Sequence, residues 1–435
     1  MTGQNLYLKA KKLIPGGTQL LSKRPEMFLP DYWPSYYSQA RGVEVIDMDG
    51  NKYIDMSIMG VGACILGYAD PDVDQAVKTA IDDGVMCTLN APEEVELAEL
   101  LCELHPWASM VRYARAGGEA MSVAVRIARA HTRRDKIAFC GYHGWTDWYL
   151  AANLAEDDAL DGHLMPGLDP AGVPRSLRGS ALPFQYNRAD QLKLIVDNNR
   201  NSLAAIVMEP QRGEAPEPGF LKEVRDIANE IGAVLIFDEI TTGFRMTAGG
   251  IHLLLGVDPD IAVLAKAMAN GYSMAAVIGT VEVMQAAQST FISSTNWTER
   301  IGPVAALATI KKYREFNVQD HLISIGNLIT DGWQRIATQA GIKIHTDGLP
   351  SLTHFSFKDE NELLLSTLFT QLMLGKGYLA FNQFKPSFAH QPAHVEAYLD
   401  AALESFTIIS GAIQNGNAAT LLKGPPARRG FYRLA

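Results

Sequence analysis

AVLIFDEITTGFR, residues 233–245, begins as an uninterrupted apolar run and becomes polar at Asp238. A second apolar run, IAVLA at 261–265, leads in the same way directly into Lys266. Strands that are apolar without polar alternation are typical of a parallel sheet buried on both faces. Because ligands bind beyond the carboxyl ends of such strands, Asp238 and Lys266 are predicted to meet at one ligand-binding edge.

The segments on either side of this stretch predict an α/β fold. Short apolar runs, which we interpret as further strands, alternate with helical stretches such as PEEVELAELLCEL at 92–104. The runs are MVRYA at 110–114, KIAFC at 136–140 and LAAIVM at 203–208. This alternation is typical of a mostly parallel central sheet with helices on both faces.

The two ends of the chain differ from its middle. Near the N-terminus, Asp49-Gly50 separates two β-rich runs and predicts a hairpin turn. Past about residue 300 the pattern becomes helical again, with short strands in between. We therefore predict a large domain at 61–297 and a smaller α/β domain formed by both chain ends, the N-terminal segment 1–60 and the C-terminal region 298–435.

The bulk composition argues against several classes of protein. The formal net charge is −10, and basic and aromatic residues do not gather in a strip, so nucleic acid is not an expected partner. No stretch approaches the roughly 18 apolar residues of a membrane span. The four cysteines have neither metal-ligand nor paired spacing, which is typical of reduced thiols. We predict a cytoplasmic protein without a bound metal or a membrane partner.

Asp238 and Lys266 together suit one kind of cofactor. A lone charge at a strand end is usually a solvated loop residue, and this remains the alternative for each taken singly. An aldehyde cofactor with a pyridine ring needs a lysine to form an imine and an acid to keep the ring nitrogen protonated. At about 4 Å and an effective dielectric near 20, such an ion pair contributes roughly 4 kcal/mol, enough to hold a pyridinium at neutral pH.

A glycine pair follows the strand MVRYA. Gly117 and Gly118 precede a helix that is predicted to begin at about Glu119. Free backbone amides at a helix start, reached through residues without side chains, can hold a phosphate. A bare turn is the alternative.

Aromatic residues follow the strand KIAFC in the segment CGYHGWTDWYL, residues 140–150. One ring of this segment could stack on a flat cofactor. For Trp145, Trp148 and Tyr149 we prefer a buried aromatic cluster. His143 is either a structural histidine or a group on the substrate side.

Two longer segments resemble the signature of class-III aminotransferases, which are pyridoxal-phosphate enzymes of fold-type I. They are VMEPQRGEAPEPGFLKEVRDIANEIGAVLIFDEITTGFR at 207–245 and AKAMANGYSMAAVIG at 265–279. Within that family the chain is most similar to the glutamate-1-semialdehyde 2,1-aminomutase group. The resemblance extends from IPGG at 14–17 to the C-terminal helices. It implies pyridoxal 5'-phosphate as cofactor, with pyridoxamine 5'-phosphate as its intermediate form, and a homodimer with a shared active site.

The resemblance also implies roles for matching residues. Lys266 would hold the cofactor as a Schiff base and then carry protons, and Asp238 would bind the pyridine nitrogen. The ring of Tyr142 would stack on the cofactor face. Glu209 matches a family glutamate near the cofactor.

The phosphate group is implied to contact three positions. Gly117 and Gly118 match the phosphate loop, and Thr298 matches a threonine that reaches the phosphate from the partner subunit. The aminomutase group usually carries hydroxyl residues around this loop, whereas Ala116 stands here beside the two glycines. Backbone amides and Thr298 are expected to compensate.

Two further departures concern the substrate. Lys385 stands where the aminomutase group offers a glutamate toward the cofactor. The arginine that grips the substrate carboxylate in that group has no clean counterpart, although Lys23 and Arg24 are candidates. We therefore expect a substrate other than glutamate semialdehyde.

The predicted function is an aminotransferase that moves an amino group from an amino-acid donor to a keto or aldehyde acceptor, such as an unusual sugar or a small metabolite. The alternatives are an intramolecular aminomutase or an epimerase and, more remotely, a non-catalytic scaffold. The stretch from Glu156 to Pro174 is either a lid that would retain an intermediate or a plain surface loop.

Overall fold

The structure, a computed structural model, describes residues 2–163 and 166–431. It divides into two compact units, each with its own hydrophobic core. The large unit spans residues 71–316, and the small unit joins the residues up to Asp70 with those from Asn317 onward.

The boundaries of these units differ from the boundaries that we expected after residues 60 and 297. The units divide after residues 70 and 316. The helices Pro71–Asp82 and Ile301–Glu315 pack against each other within the large unit, so both belong to it. Relative to the expected range, the large unit gains the helix Ile301–Glu315 at its C-terminal end, and residues 61–70 belong to the small unit.

The strands and helices are numbered here in chain order over the described residues. The strands are β1 Tyr37–Arg41, β2 Glu44–Asp47, β3 Lys52–Asp55, β4 Met110–Ala114, β5 Lys136–Cys140, β6 Ala181–Pro183, β7 Leu203–Met208, β8 Val234–Asp238, β9 Ile261–Leu264, β10 Ala275–Gly279, β11 Ile344–Asp347, β12 Thr353–Phe357, β13 Tyr378–Leu379 and β14 Gln383–Phe384. The α-helices are α1 Gly3–Leu13, α2 Met59–Gly62, α3 Pro71–Asp82, α4 Glu93–Leu104, α5 Gly117–Thr132, α6 Asp147–Leu150, α7 Ala189–Asn199, α8 Phe220–Ile231, α9 His252–Leu255, α10 Val281–Met284, α11 Ile301–Glu315, α12 Val318–Ala340, α13 Glu362–Gly375, α14 Pro392–Asn415 and α15 Ala418–Leu421.

A seven-stranded sheet in the order β4-β10-β9-β8-β7-β5-β6 forms the centre of the large unit. The strands β6, β5, β7, β8 and β9 pair in parallel, whereas β10 is antiparallel to both β9 and β4. Two antiparallel pairings in succession leave β4 running in the same direction as β9. The predicted mostly parallel sheet is confirmed, and the carboxyl end of β4 lies at the same edge as those of the parallel strands.

Helices cover both faces of this sheet, as predicted. Alternate residues of β8 belong to different cores: Ile236 packs with the residues of α5, whereas Leu235 and Phe237 pack with those of α8. Every residue of β7, β8, β9 and β10 is buried. Burial on both faces explains why these segments are apolar without alternation.

The small unit contains two smaller sheets, in the orders β1-β2-β3-β13 and β11-β12-β14. The strands β2 and β3 pair antiparallel on either side of the Asp49-Gly50 turn, and Gly50 has a φ of 86°. The long helices α12 and α14 pack together, and the Trp333 indole N–H donates to the Tyr398 hydroxyl at 2.9 Å in the core.

Candidate active site

The predicted chemistry-bearing residues of the large unit lie at the carboxyl edge of its sheet. Asp238 is the last residue of β8, and Lys266 follows β9 after a single residue. Gly117 opens α5 shortly after β4, and Glu209 follows β7 directly. The parallel arrangement therefore brings these residues to one edge, where α/β sheets bind ligands.

Lys266 is held by a hydroxyl group and stripped of most of its water. Its Nζ donates a hydrogen bond to Thr241 Oγ1 at 2.9 Å. Burial, together with the guanidinium groups of Arg212 and Arg245, lowers the pKa of the amine to about 8, although the carboxylates of Asp238 and Glu209 oppose the change. Such an amine is partly unprotonated near neutral pH, as a lysine that forms an imine must be.

The backbone of Lys266 is strained. Its φ is 47°, in the left-handed region, although it is neither glycine nor asparagine. Residues held in such conformations tend to occur at active sites, where the surrounding structure imposes them. Lys266 lies between β9, which ends at Leu264, and a 3-10 helix, Lys266–Ala269, that begins at Lys266 itself.

Asp238 is buried and paired with His143. The two side chains meet at 2.9 Å between Asp238 Oδ2 and His143 Nδ1, while His143 Nε2 lies 3.0 Å from the carbonyl oxygen of Cys140. Both ring nitrogens thus face acceptors, so both contacts are hydrogen bonds when both nitrogens carry protons. The other carboxylate oxygen, Oδ1, accepts from the Ile240 backbone N–H at 3.0 Å.

The burial of His143 fits the structural one of its two predicted alternatives, since only 1% of the residue is exposed. Its ring stacks on that of Trp148 and lies edge-on to Tyr149, and both of these residues are buried. The prediction that Trp145 joins this cluster is wrong, because Trp145 is 73% exposed. The turn at Gly144, with a φ of 101°, carries Trp145 away from the core.

Tyr142 and Glu209 are neighbours at this edge. The Tyr142 backbone N–H donates to Glu209 Oε2 at 3.3 Å, and burial raises the pKa of the Tyr142 phenol. Glu209 also pairs with Arg212, whose Nη1 lies 3.2 and 3.3 Å from the two carboxylate oxygens. Arg212 was not among the predicted residues, although it stands three positions after Glu209 in the MEPQR string.

The glycine pair forms the start of α5. Helix geometry leaves the first amides of a helix without intrahelical partners. The Glu119 carboxylate accepts from the N–H groups of Arg115 and Ala116, at 2.9 and 3.4 Å, just ahead of the two glycines. A side chain at Gly117 would lie 2.9 Å from Ile240, and one at Gly118 would lie 3.3 Å from the Trp145 indole nitrogen. The turn at Gly144 also approaches the backbone of Gly118 closely. A Cβ added to Gly144 would lie 3.2 Å from the Gly118 Cα.

A hydroxyl group lies beside this glycine pair. Thr146 directly precedes α6, and its Cγ2 lies 4.0 Å from where a Gly118 side chain would begin. Its Oγ1 is buried and has no hydrogen-bond partner within the described residues. The sequence lacks the hydroxyl residues that the aminomutase group usually carries around this loop. Thr146 provides a hydroxyl at the same place from another segment.

Thr298 ends a 3-10 helix, Thr295–Thr298, on the surface of the large unit, and its hydroxyl donates to the Thr295 carbonyl at 2.9 Å. Arg115 holds this segment: its Nη2 donates to the carbonyl oxygens of Trp297 and Glu299, and its Nε pairs with the Glu299 carboxylate at 2.9 Å. The segment is thus tied to the residue that precedes the glycine loop.

Two predicted substrate residues belong to the small unit. Arg24 follows a 3-10 helix, Leu21–Lys23, and its guanidinium packs against the turn at Gly16. Lys385 follows β14, and its backbone N–H donates to the Ser57 carbonyl at 2.7 Å. Within the large unit, the residues that follow β4, β5, β7, β8 and β9 lie at one edge of the sheet, whereas Thr298 lies on the surface.

Of the stretch from Glu156 to Pro174, the structure describes residues 156–163 and 166–174, most of which are exposed. Leu160 is fully buried, and Asn153 accepts a hydrogen bond from the Leu160 N–H and donates one to the Leu168 carbonyl at 2.6 Å. Within this stretch, His163 accepts a hydrogen bond from the Gly141 N–H at 3.2 Å.

A cavity of about 200 Å³ lies beside this stretch at the carboxyl ends of β5 and β7. Its wall includes Cys140, His163, Gln185, Tyr186, Glu209 and Arg212. The burial of His163 lowers its pKa to about 4, so the ring is neutral at pH 7. The cavity therefore combines neutral donors with the charged Glu209 and Arg212 pair.

These residues fit the cofactor implied by the resemblance. A lysine amine with a lowered pKa suits a covalent bond to an aldehyde, and the Asp238 carboxylate suits a pyridinium nitrogen. The amides of Gly117 and Gly118 at the start of α5 and the unpartnered Thr146 hydroxyl suit a phosphate. The aldehyde, the ring nitrogen and the phosphate of the cofactor thus each have matching groups at one edge of the sheet.

Comparisons with known proteins agree with this arrangement. The family model for class-III aminotransferases matches residues 30–372. A 3-aminobutyryl-CoA aminotransferase of Cloacimonas acidaminovorans is 34% identical, over 84% of this chain and 86% of its own. A glutamate-1-semialdehyde 2,1-aminomutase of Roseiflexus castenholzii is 33% identical, over 95% of this chain and 99% of its own.

Among solved structures, the PLP internal aldimine form of the FumI protein of Sphingopyxis sp. MTA144 has the same fold. It superposes with a TM-score of 0.86 at 23% identity and covers 98% of each chain. In the described part of this chain, no helix is both long enough and apolar enough to cross a membrane. From the family match and these likenesses it follows that the chain belongs to the class-III aminotransferases, enzymes that depend on pyridoxal phosphate and have fold-type I architecture.

Proposed function

We propose that Lys266 is the residue through which this aminotransferase binds its cofactor and moves protons. The observation that carries the proposal is the buried amine of Lys266, held at 2.9 Å by Thr241 and with a pKa lowered to about 8. When bound, pyridoxal phosphate supplies an aldehyde and a ring that withdraws electrons from the bond to be broken. The protein supplies the groups that hold the cofactor and handle the proton.

Asp238 and His143 hold charge where the ring nitrogen is to be bound. The carboxylate is held in place by His143 and by the Ile240 amide, at 2.9 and 3.0 Å. Burial strengthens the attraction between this carboxylate and a protonated pyridine. In this proposal Tyr142, which precedes His143, would cover the ring.

The start of α5 binds the phosphate in this proposal. The amides of Gly117 and Gly118 and the hydroxyl of Thr146 are the donors on this chain, and Thr298 adds a donor across a homodimer interface. The tie between Arg115 and the Thr298 segment supports a fixed position for that threonine.

The acceptor is proposed to be a keto or aldehyde compound such as an unusual sugar or a small metabolite, in a cytoplasmic enzyme. The departures at Lys385 and around Arg24 support a substrate other than glutamate semialdehyde. The cavity beside Glu209 and Arg212 offers room for part of such a substrate.

An intramolecular aminomutase is the second candidate. The likeness to an aminomutase over 95% of this chain favours it. An epimerase would use the same lysine and the same ring. A non-catalytic scaffold is disfavoured, because the lysine, its hydroxyl partner and Asp238 are all present in contact-making positions.

The test is a visible spectrum of the purified protein with pyridoxal phosphate, followed by additions of L-glutamate, L-glutamine and L-alanine one at a time. We expect the yellow band of the lysine-bound cofactor, its bleaching by one donor and its return with a keto acid. A yellow band that no donor bleaches favours the aminomutase or epimerase. Lys266→Ala, the control, should give no such band, and an unchanged band in this variant would overturn the proposal.

A further inference from the structure

The turn after β8 contains a second carboxylate, Glu239, that points to the other side from Asp238. It is fully buried. Its Oε1 accepts from the backbone N–H of His252 at 2.9 Å and from His252 Nδ1 at 2.8 Å, and its Oε2 accepts from the Thr242 hydroxyl at 2.5 Å. Burial alone would raise the pKa of Glu239, but the hydrogen bonds from His252 and from the Thr242 hydroxyl outweigh it and lower the pKa.

The proton of His252 is fixed by Trp107. The indole N–H of Trp107 donates to His252 Nε2 at 2.9 Å, and an indole nitrogen can only donate. Nε2 is therefore the acceptor, and Nδ1 carries the proton that binds Glu239. Trp107, His252 and Glu239 form a chain in which each donor meets an acceptor.

This chain anchors the segment that holds Lys266. The Glu239 N–H donates to the carbonyl of Val263 at 2.9 Å, on the strand that leads into Lys266. The Gly243 N–H donates back to the Glu239 carbonyl at 2.7 Å and closes the turn. Between these two anchors lies Thr241, whose hydroxyl accepts from Lys266 Nζ.

We propose that Thr241 is a further catalytic residue, which holds the Lys266 amine through its hydroxyl, and that Glu239 and His252 are positioning residues which keep Thr241 in place. The lysine side chain is long and flexible, so a fixed acceptor restricts where its amine delivers a proton. The proposal rests on the proposed function in one respect, that Lys266 is the reactive amine.

The hydroxyl also affects the charge of Lys266. An acceptor favours the protonated amine, so Thr241 acts with Asp238 and Glu209 and against burial, Arg212 and Arg245. Removal of the acceptor alone should therefore lower the pKa of Lys266.

The first experiment measures the rate at which the PLP-free protein binds pyridoxal phosphate covalently, followed by absorbance over a pH range around the pKa of Lys266. Thr241→Val should lower the apparent pKa by about one unit, since a hydrogen bond to a charged group contributes about that much. Thr241→Ser, which keeps the hydroxyl, should leave it unchanged. The assignment of Thr241 is wrong if the valine variant titrates like the parent protein.

A second experiment separates positioning from a direct charge effect of Glu239. Glu239→Gln should lower the apparent pKa by less than Thr241→Val does, because the hydroxyl is loosened but present. In the Thr241→Val background the same change should have no further effect. A shift that adds fully to that of Thr241→Val, or no shift in either background, would overturn the positioning role.

Trp107→Phe provides a second route if Glu239→Gln does not fold. It removes the donor to His252 Nε2 and should shift the same apparent pKa downward by a smaller amount, again only when Thr241 is present. The covalent assay with Lys266→Ala identifies failure of the proposed function itself. If that variant loses covalent binding while Thr241→Val titrates like the parent, the proposed function stands and this inference fails.

Discussion

Two buried carboxylate–imidazole pairs lie on the two sides of the turn after β8, and they hold their protons differently. Asp238 meets His143 at 2.9 Å, and Glu239 meets His252 at 2.8 Å. The second nitrogen of His143 faces a carbonyl oxygen, whereas that of His252 faces the indole N–H of Trp107. His143 therefore needs two protons to satisfy both contacts, and His252 needs one.

The comparison teaches that the third partner sets the charge of such a pair. With a proton on each nitrogen of His143, the Asp238 pair is neutral as a whole, and its carboxylate keeps a negative charge for a cationic ligand. The Glu239 pair carries a net negative charge, and both carboxylate oxygens of Glu239 accept hydrogen bonds from the protein. One carboxylate is thus available for chemistry, and its neighbour is committed to structure.

The largest expected effect distinguishes the two carboxylates directly. Asp238→Asn should lower kcat/KM roughly a thousandfold, because the lost ion pair contributes about 4 kcal/mol. Glu239→Gln, the isosteric change one position on, should lower it no more than about tenfold, the equivalent of one hydrogen bond. Steady-state kinetics with the donor found by the spectral test check this, and equal losses would remove the distinction.

The next effect concerns the buried amine of Lys266. The pKa of the Lys266 amine is about 8 in the folded protein against the ordinary 10.5 of a lysine side chain, so Lys266→Met should stabilise the PLP-free protein by about 3 kcal/mol below pH 8. The folded-state pKa is the lower one. The parent therefore regains this stability as the pH rises from 8 to 10.5, and the difference between the two proteins vanishes.

Urea unfolding of both proteins across that pH range is the measurement. A stability difference that does not change with pH would mean that packing, and not the buried amine, causes it.

The third effect compares the two histidines. His143→Gln removes one of the proton donors to Asp238 and should weaken the affinity for pyridoxal phosphate roughly thirtyfold, about 2 kcal/mol. His252→Gln should change this affinity less, because His252 binds a carboxylate that faces away from the cofactor. Equilibrium titration of the PLP-free variants measures both, and a larger effect at His252 would contradict the assignment of the two pairs.

The smallest effect tests the third partner of His252. Trp107→Phe should destabilise the protein by about 1 kcal/mol beyond the packing loss, because His252 Nε2 is left without a donor. Trp148→Phe is the control, since the Trp148 indole nitrogen has no partner in the described part of the chain. Denaturant unfolding should show no such polar loss for the control, and a parallel loss would argue against the Trp107 contact.

Much of the sheet was predictable from the sequence because burial on both faces leaves a local signal. The runs MVRYA, KIAFC and LAAIVM coincide with β4, β5 and β7. Lys266 and Asp238 were found for the same reason, since each interrupts such a run with a charge. The antiparallel β10 was not singled out, because an all-apolar strand does not reveal its direction.

The pairings within the site were not predictable in this way. His143 and Asp238 lie far apart in the chain, and only the parallel order of β5, β7 and β8 brings their side chains together. Thr241 was visible in the DEITTGFR string, yet its spacing alone does not tell which of two adjacent threonines faces the lysine. Trp145 appeared to belong to the buried cluster because its segment is aromatic, and the left-handed turn at Gly144 carries it outward.

The left-handed backbone of Lys266 has a consequence for how a substitution there changes stability. At this position both the backbone conformation, with a φ of 47°, and the dehydrated amine oppose folding. Glycine would relieve both, so Lys266→Gly would exchange the reactive amine for a gain in stability. The protein thus carries a lysine here at a cost in stability.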